Sequence, residues 1–316
     1  MAYPIPMHRL ILTCAISLIS TTAVGLAASV AWAAEASIPD LDYAAEHEQW
    51  QAERIAFLKG PDGYLNLAGL HWLRAGVYSF GSEKSNDLVF PQKSASRIGT
   101  LTLQDDEVQM LVNDGVGVMV DGAAVSQATM SDDRSAAPRT AVHGSVAWTV
   151  IRRDDRIAVR VRDFEHPSLA TFETPDSFPL DRGYRLAADF VPYETPRIVN
   201  VETVIEGLEY KPEAPGTLRF RIDAESYELE AYSSGDKLFL VFGDQTSGRD
   251  TYPAGRFLYA EAPDAGGKTV LDFNKAHNPP CAFNEFATCP VASPRNRLAT
   301  RITAGERFDP RSHDWQ

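Results

Sequence analysis

The chain has 316 residues, with 30 Lys and Arg against 43 Asp and Glu, a formal charge of −13. Its 44% hydrophobic content can fill a core, and its length fits one large domain or two ordinary ones. A surface this acidic repels nucleic acid and anionic membranes, and three Cys are too few for a disulfide-dense or multi-Cys zinc fold.

The first 33 residues read as an export signal. His8 and Arg9 form a weakly basic start, Leu10 to Val30 carries no charge, and Ala31-Trp32-Ala33 is a small-x-small cleavage box. An uncleaved anchor is the alternative, because the apolar run is long enough to span a bilayer. Ser, Thr, Gly and Ala dilute its second half, and the box favours cleavage after Ala33. Ile11-Leu12-Thr13 before Cys14 is a poor lipidation signal. The mature chain, with a charge of about −14, is expected to be exported to the periplasm or outside the cell. No later segment is apolar for long enough to cross a membrane.

A helix is predicted over residues 40–59, where Tyr43, His47, Trp50, Arg54, Phe57 and Leu58 recur at helical spacing. Asp40 or Asp42 caps it, and Lys59-Gly60-Pro61-Asp62-Gly63 stops it. A second helical turn is expected at Leu67, Leu70 and Trp72, with His47 and His71 on helix faces. From Tyr78 the period changes to two. Leu88–Phe90, Leu101–Leu103, Val108–Val112 and Val116–Val120 are short strands separated by turns such as Asn113-Asp114-Gly115. His143–Ile151 and Ile157–Arg162 form a hairpin around Asp154-Asp155.

Residues 163–196 contain five Pro and little alternation, and read as a long connection. Beyond it, Ile198–Ile205, Thr217–Ile222, Tyr227–Tyr232 and Leu238–Phe242 form a meander, with further strands at Arg256–Glu261, Thr269–Phe273 and Leu298–Ile302. The expected fold is all-β with an N-terminal helix. A helical segment (34–77) precedes a β-sandwich module (78–162) and a second antiparallel β-module with a Pro/Asn-rich tail (163–316).

Several strings taken together resemble a known family. They are Asp62-Gly63-Tyr64-Leu65-Asn66-Leu67, Thr251-Tyr252-Pro253-Ala254-Gly255-Arg256-Phe257, Leu271-Asp272-Phe273-Asn274, Asn278-Pro279-Pro280-Cys281-Ala282-Phe283, Cys289-Pro290 and Asn296-Arg297-Leu298. Over about residues 47–308 the chain resembles the DUF1684 family, a domain of unknown function, which implies no established activity. A second resemblance, to forkhead-associated domains, rests on Gly81-Ser82, Ser85-Asn86-Asp87, Ser96-Arg97 and Asp121-Gly122. It implies a small β-sandwich over residues 78–125. Ser82 stands where that module has its phosphate-binding Arg, so phosphothreonine recognition is not expected.

No G-x-S-x-G, H-E-x-x-H, P-loop or dinucleotide fingerprint is present, and no cofactor is expected. Polar residues gather instead at strand ends in the C-terminal half. Asp244, Arg256, Asn274 and Asn278 are candidate ligand-binding residues. Asp272 and His277 form a candidate acid–base pair. Asp272, Asn274 and Asn278 offer oxygens for Ca²⁺, although Asn residues in such strings also cap turns.

Arg256 and Asp272 are expected to face each other, on the assumption that Leu258 and Val270 are core residues. Cys281 and Cys289 lie close enough for a local disulfide in an oxidising compartment, with a metal pair or two buried thiols as alternatives. Two functional classes follow. One is an exported small-molecule binder or hydrolase with a polar pocket in the C-terminal β-module. The other is a non-catalytic module that binds a protein or glycan through its forkhead-associated-like half.

Overall fold

A computed structural model describes residues 40–308. The export signal and its cleavage site lie outside the described residues. Helix α1 (Asp40–Lys59) covers the predicted span. Its inward stripe is Tyr43, His47, Arg54 and Leu58, all buried, with Trp50 half-buried between them. Phe57 is exposed and meets Tyr64 edge to face, with ring centroids 5.1 Å apart.

The chain then becomes almost wholly β. Strands β1 (Leu67–Leu73), β2 (Gly76–Gly81), β3 (Leu88–Val89), β4 (Gly99–Gln104) and β5 (Glu107–Val112) come first. Next are β6 (Met119–Val120), β7 (Ala123–Ala124), β8 (Gln127–Met130), β9 (Thr140–His143), β10 (Val146–Arg153) and β11 (Arg156–Asp163). They build a six-stranded sheet, β1-β11-β10-β9-β6-β7, and a five-stranded sheet, β3-β2-β4-β5-β8. One apolar cluster fills the space between them, where Phe80, Phe90 and Trp148 meet at centroid distances of 5.3–5.5 Å. The β4–β5 and β10–β11 hairpins turn through Asp105, Asp106 and Asp154, all at positive φ, a conformation that Asp tolerates better than most residues.

The second half contains β12 (Arg185–Ile198), β13 (Val201–Glu202), β14 (Glu209–Tyr210), β15 (Glu213–Ile222) and β16 (Glu225–Ser234). It continues with β17 (Lys237–Phe242), β18 (Arg256–Glu261) and β19 (Lys268–Asp272). Six of these form the antiparallel sheet β18-β17-β16-β15-β12-β19, while β13 and β14 pair as a separate hairpin. Alternation gives this sheet two buried faces. Leu218, Leu229, Leu240, Leu258 and Leu271 pack beneath Phe273, Leu298, Ile302 and Ala304. On the other face Tyr232, Phe239, Val241 and Phe257 pack with Val201, Cys281 and Cys289. The C-terminal tail contributes to both covers, joined on the second face by Val201 of β13. Gly305 (φ +77°) lets the tail pass close, since a Cβ there would lie 2.3 Å from the Ala276 carbonyl oxygen.

Four local expectations need correction. Residues 67–73 are a strand, not a helical turn, and His71 sits on it; the segment lines up against β11, with Gly69 opposite Val161. Cross-strand pairing overrides a short run that periodicity alone does not separate. The presumed connection 163–196 gives way to β12 from Arg185, with Pro192 beside a register shift that accommodates it. Residues 298–302 form no strand. They hydrogen-bond along residues 243–245 and bury Leu298 and Ile302. The Arg256–Asp272 pairing fails because Val270 is 46% exposed, so Thr269 and Leu271 are the inward residues of β19.

Candidate functional site

Arg256 does face inward with Leu258, but its carboxylate partner is Asp244, 2.9 Å away, and both side chains are sealed from solvent. Arg256 also donates to the carbonyls of Ile302 and Ala304, which ties the tail to the sheet. Burial lowers its pKa and Asp244 opposes the shift; arginine remains charged. Asn274 is also bonded to the protein. Its Nδ2 donates to the Tyr43 hydroxyl, the Asp181 carbonyl and Asp272, and its Oδ1 accepts from the Asp181 amide. Asn278 receives Arg54 at its carbonyl and donates its amide to Glu306 (2.7 Å) and its Nδ2 to the Arg307 carbonyl. These four residues therefore hold α1, the sheet and the tail together. Asn274 spends its side-chain polar groups on protein partners, whereas the buried Asn278 Oδ1 has none; no group of three or more His, Cys, Asp or Glu among the described residues could hold a metal ion.

Asp272 and His277 line a cavity of about 230 Å³ together with Glu46, Trp50, Lys275 and Tyr259. The Asp272 Oδ1 accepts from the Tyr43 hydroxyl at 2.8 Å and from the Asn274 amide. Burial, with Asp272 second, raises the Tyr43 pKa. The His277 Nδ1 lies 3.1 Å from the Lys275 carbonyl, so that nitrogen carries the proton. Burial, then Arg54, pushes His277 down to about 3. Near neutrality this imidazole is uncharged and too weak a base to hold a substrate proton.

A larger cavity, about 460 Å³, opens on the other side of the same aromatic cluster. Its floor is Leu208, Tyr210, Phe239, Phe257 and Pro290. Phe239 and Phe257 meet edge to face with centroids 4.9 Å apart, and Phe239 lies 5.0 Å from Tyr259, which stacks on His277 in the smaller cavity. Burial raises the Tyr210 and Tyr259 pKa values, the latter to about 12, so both phenols are neutral.

The mouth carries Arg134, Arg153 and Lys211 beside Asp154 and Glu209. Lys211 is committed to Asp154 (2.8 Å) and Glu209, and Arg153 to Asp133 (2.7 Å). Arg134 has no carboxylate within ion-pair distance among the described residues. Five parts of the chain build this site: Arg134 from the β8–β9 loop, the β10–β11 turn, the β13–β14 hairpin, Phe239 and Phe257 of the β17–β18 pair, and the loop at residues 288–290. The Cys281–Cys289 disulfide, spanning 8 residues, braces that loop, whose Thr288 and Pro290 form part of the wall.

None of the residues selected from sequence lines this larger cavity.

A family model described as protein of unknown function (DUF1684) matches residues 170–307. The solution NMR structure of an uncharacterized protein from Haloarcula marismortui is 32% identical, over 45% of this chain and 80% of that one, with a TM-score of 0.38. This chain belongs to the DUF1684 family. None of the curated proteins matches it. In this DUF1684 protein the family match includes the β13–β14 hairpin, β17, β18 and the disulfide loop, whereas Arg134 and Arg153 lie N-terminal to it.

Proposed function

We propose that this DUF1684 protein is an exported small-molecule-binding protein whose ligand rests on Phe239 and Phe257 in the 460 Å³ cavity. The carrying observation is that floor: two nearly buried phenyl rings, Leu208 and Tyr210 lie open to a cavity within the usual range for small-molecule sites. Apolar walls with few polar groups bind by removing apolar ligand surface from water, about 25 cal/mol per Å². The rim then sets orientation. Export is supported by the N-terminal sequence and by the disulfide, which persists in oxidising compartments. No helix among the described residues is long and apolar enough to cross a membrane.

Two alternatives have less support. Hydrolysis at Asp272 and His277 needs a base, and His277 is held neutral far below its ordinary range. An interaction module on residues 78–125 calls for an apolar groove, but the outer face of β4, β5 and β8 presents mostly polar side chains, Thr100, Thr102, Gln109, Gln127 and Thr129, around the exposed Leu111.

The test is a thermal-shift and calorimetric screen of aromatic and aliphatic small molecules, repeated on Leu208→Trp, which fills the cavity. Binding that is present in the parent and lost in a folded Leu208→Trp variant supports the reading. Hits that bind both proteins equally place the ligand elsewhere and refute it.

A further inference from the structure

The small cavity beside α1 presents hydrogen-bond acceptors that no protein donor meets. His277, on its wall, is 8% exposed and stands between two rings. Tyr259 stacks on it with centroids 5.9 Å apart, and Trp50 lies tilted at 6.3 Å. The Nδ1 proton goes to the Lys275 carbonyl, so Nε2 keeps its lone pair. Among the described residues no donor reaches Nε2, and this nitrogen, unlike the Nδ1 of His47, is not sealed from solvent. The ring stays uncharged near neutrality, so it can accept a hydrogen bond without capturing the proton.

Charge in the same wall is unevenly matched. Lys237 pairs with Glu261 at 2.7 Å, and Lys275 with Glu46 at 2.5 Å. Arg185, the third cation, also turns to Glu46, at 3.4 Å, and lies over the Tyr43 ring. Asp272 is left with Arg185 at 3.9 Å, beyond hydrogen-bond reach. Its Oδ1 accepts from the Tyr43 hydroxyl and from both Asn274 nitrogens, but its Oδ2 has no donor, although the residue is only 6% exposed. A buried carboxylate with unused acceptor capacity favours a cation that brings N–H groups. The three basic side chains do not make this an anion site, because each already faces a carboxylate. Trp50 and Tyr259 add electron-rich rings, which attract cations.

We propose that this cavity is a second binding site, for a small primary amine in its ammonium form. The ammonium donates to the His277 Nε2 and supplies the charge that Asp272 lacks, while the body of the molecule lies against Trp50 and Tyr259. A volume of about 230 Å³ is below the usual range for drug-sized ligands, so the occupant is small. This site is independent of the larger cavity on the other side of the aromatic cluster.

The test compares benzylammonium with the neutral benzyl alcohol and the anionic benzoate, by calorimetry on the full mature chain and on Leu208→Trp, in which the larger cavity is filled. Benzylammonium should bind both proteins alike, about tenfold or more tighter than benzyl alcohol, with benzoate weakest. Asp272→Asn keeps an oxygen for Tyr43 and removes the charge, and should bring the ammonium down to the affinity of the alcohol. His277→Phe keeps a ring against Tyr259 and removes the acceptor, and should weaken both. Val270→Trp adds bulk at a wall position that is 46% exposed, so it should fold like the parent and bind neither. Equal affinity for the three probes, or a preference for benzoate, overturns the ammonium assignment. A preference that survives in a folded Asp272→Asn overturns the role of Asp272. Binding that disappears in Leu208→Trp, or persists in Val270→Trp, puts the amine elsewhere and overturns the site, and this arm decides even if Asp272→Asn does not fold. Absence of benzylammonium binding to the parent overturns the proposal and leaves the reading of the larger cavity untouched.

Discussion

Replacing Arg256 with Met tests the buried ion pair that fastens the C-terminal tail. The Arg256 and Asp244 side chains are 1% and 0% exposed, and the guanidinium reaches the Ile302 carbonyl at 3.0 Å as well as that of Ala304. Methionine matches the stem of Arg256 but leaves a carboxylate without a counter-charge inside the core. Breaking one partner of such a pair costs about 3–5 kcal/mol. At about 2–4 °C per kcal/mol for a chain near this size, the midpoint should fall by roughly 6–20 °C. Thermal melts followed by circular dichroism, with urea unfolding to check that the m-value is unchanged, provide the measurement. Adding Asp244→Leu to Arg256→Met should recover at least half the loss, because two apolar side chains replace a buried pair at little net cost. A single variant that melts within about 2 °C of the parent would refute the assignment of Arg256 as a structural anchor.

Three further outcomes are expected. Cys281→Ser with Cys289→Ser should lower stability by roughly 2–3 kcal/mol by the loop-entropy estimate and loosen the Thr288–Pro290 wall; non-reducing peptide maps should show the two cysteines linked in the parent, and freely alkylatable thiols there would contradict this. His277 is held at about 3 when folded against 6.5 when free, so its stabilising contribution is complete above about pH 6.5 and is lost as pH falls toward 3, at up to about 1.4 kcal/mol per pH unit; melting profiles should show a shallower acid-side fall in His277→Gln, and parallel profiles would be the contrary result. N-terminal sequencing of the exported protein should begin at Ala34, and a membrane-retained chain that still carries residues 1–33 would argue against cleavage.

The helix and most strands are legible in the sequence because their apolar residues recur at the period of the element. Tyr43, His47, Arg54 and Leu58 lie on one face of α1, and along β17 Leu238, Leu240 and Phe242 enter one core while Phe239 and Val241 enter the other. The errors fall where tertiary contacts outweigh local pattern. Residues 67–73 contain enough Leu for a helical turn but pair with β11, and Leu298 and Ile302 are buried without joining a ladder. The polar residues from Asp244 to Asn278 do lie at strand ends and in loops, but Asp244, Arg256, Asn274 and Asn278 direct most of their hydrogen bonds to the protein itself. Sequence pattern shows that Arg256 must point inward. It does not show whether the counter-charge comes from Asp272, Asp244 or a ligand, because that depends on which loop folds back over the sheet. The larger cavity was illegible for a related reason: Arg134, Tyr210, Phe239 and Pro290 belong to segments far apart in the chain, and only the packed fold makes them neighbours.

The central claim is that the cavity on Phe239 and Phe257 is a small-molecule site, and its most direct test is a crystal structure of the mature protein soaked with 2-naphthoate. The account predicts ring density against Phe239 and Phe257, with the carboxylate turned toward the arginines of the rim. An unoccupied cavity under saturating ligand, or density confined to another surface, would contradict it.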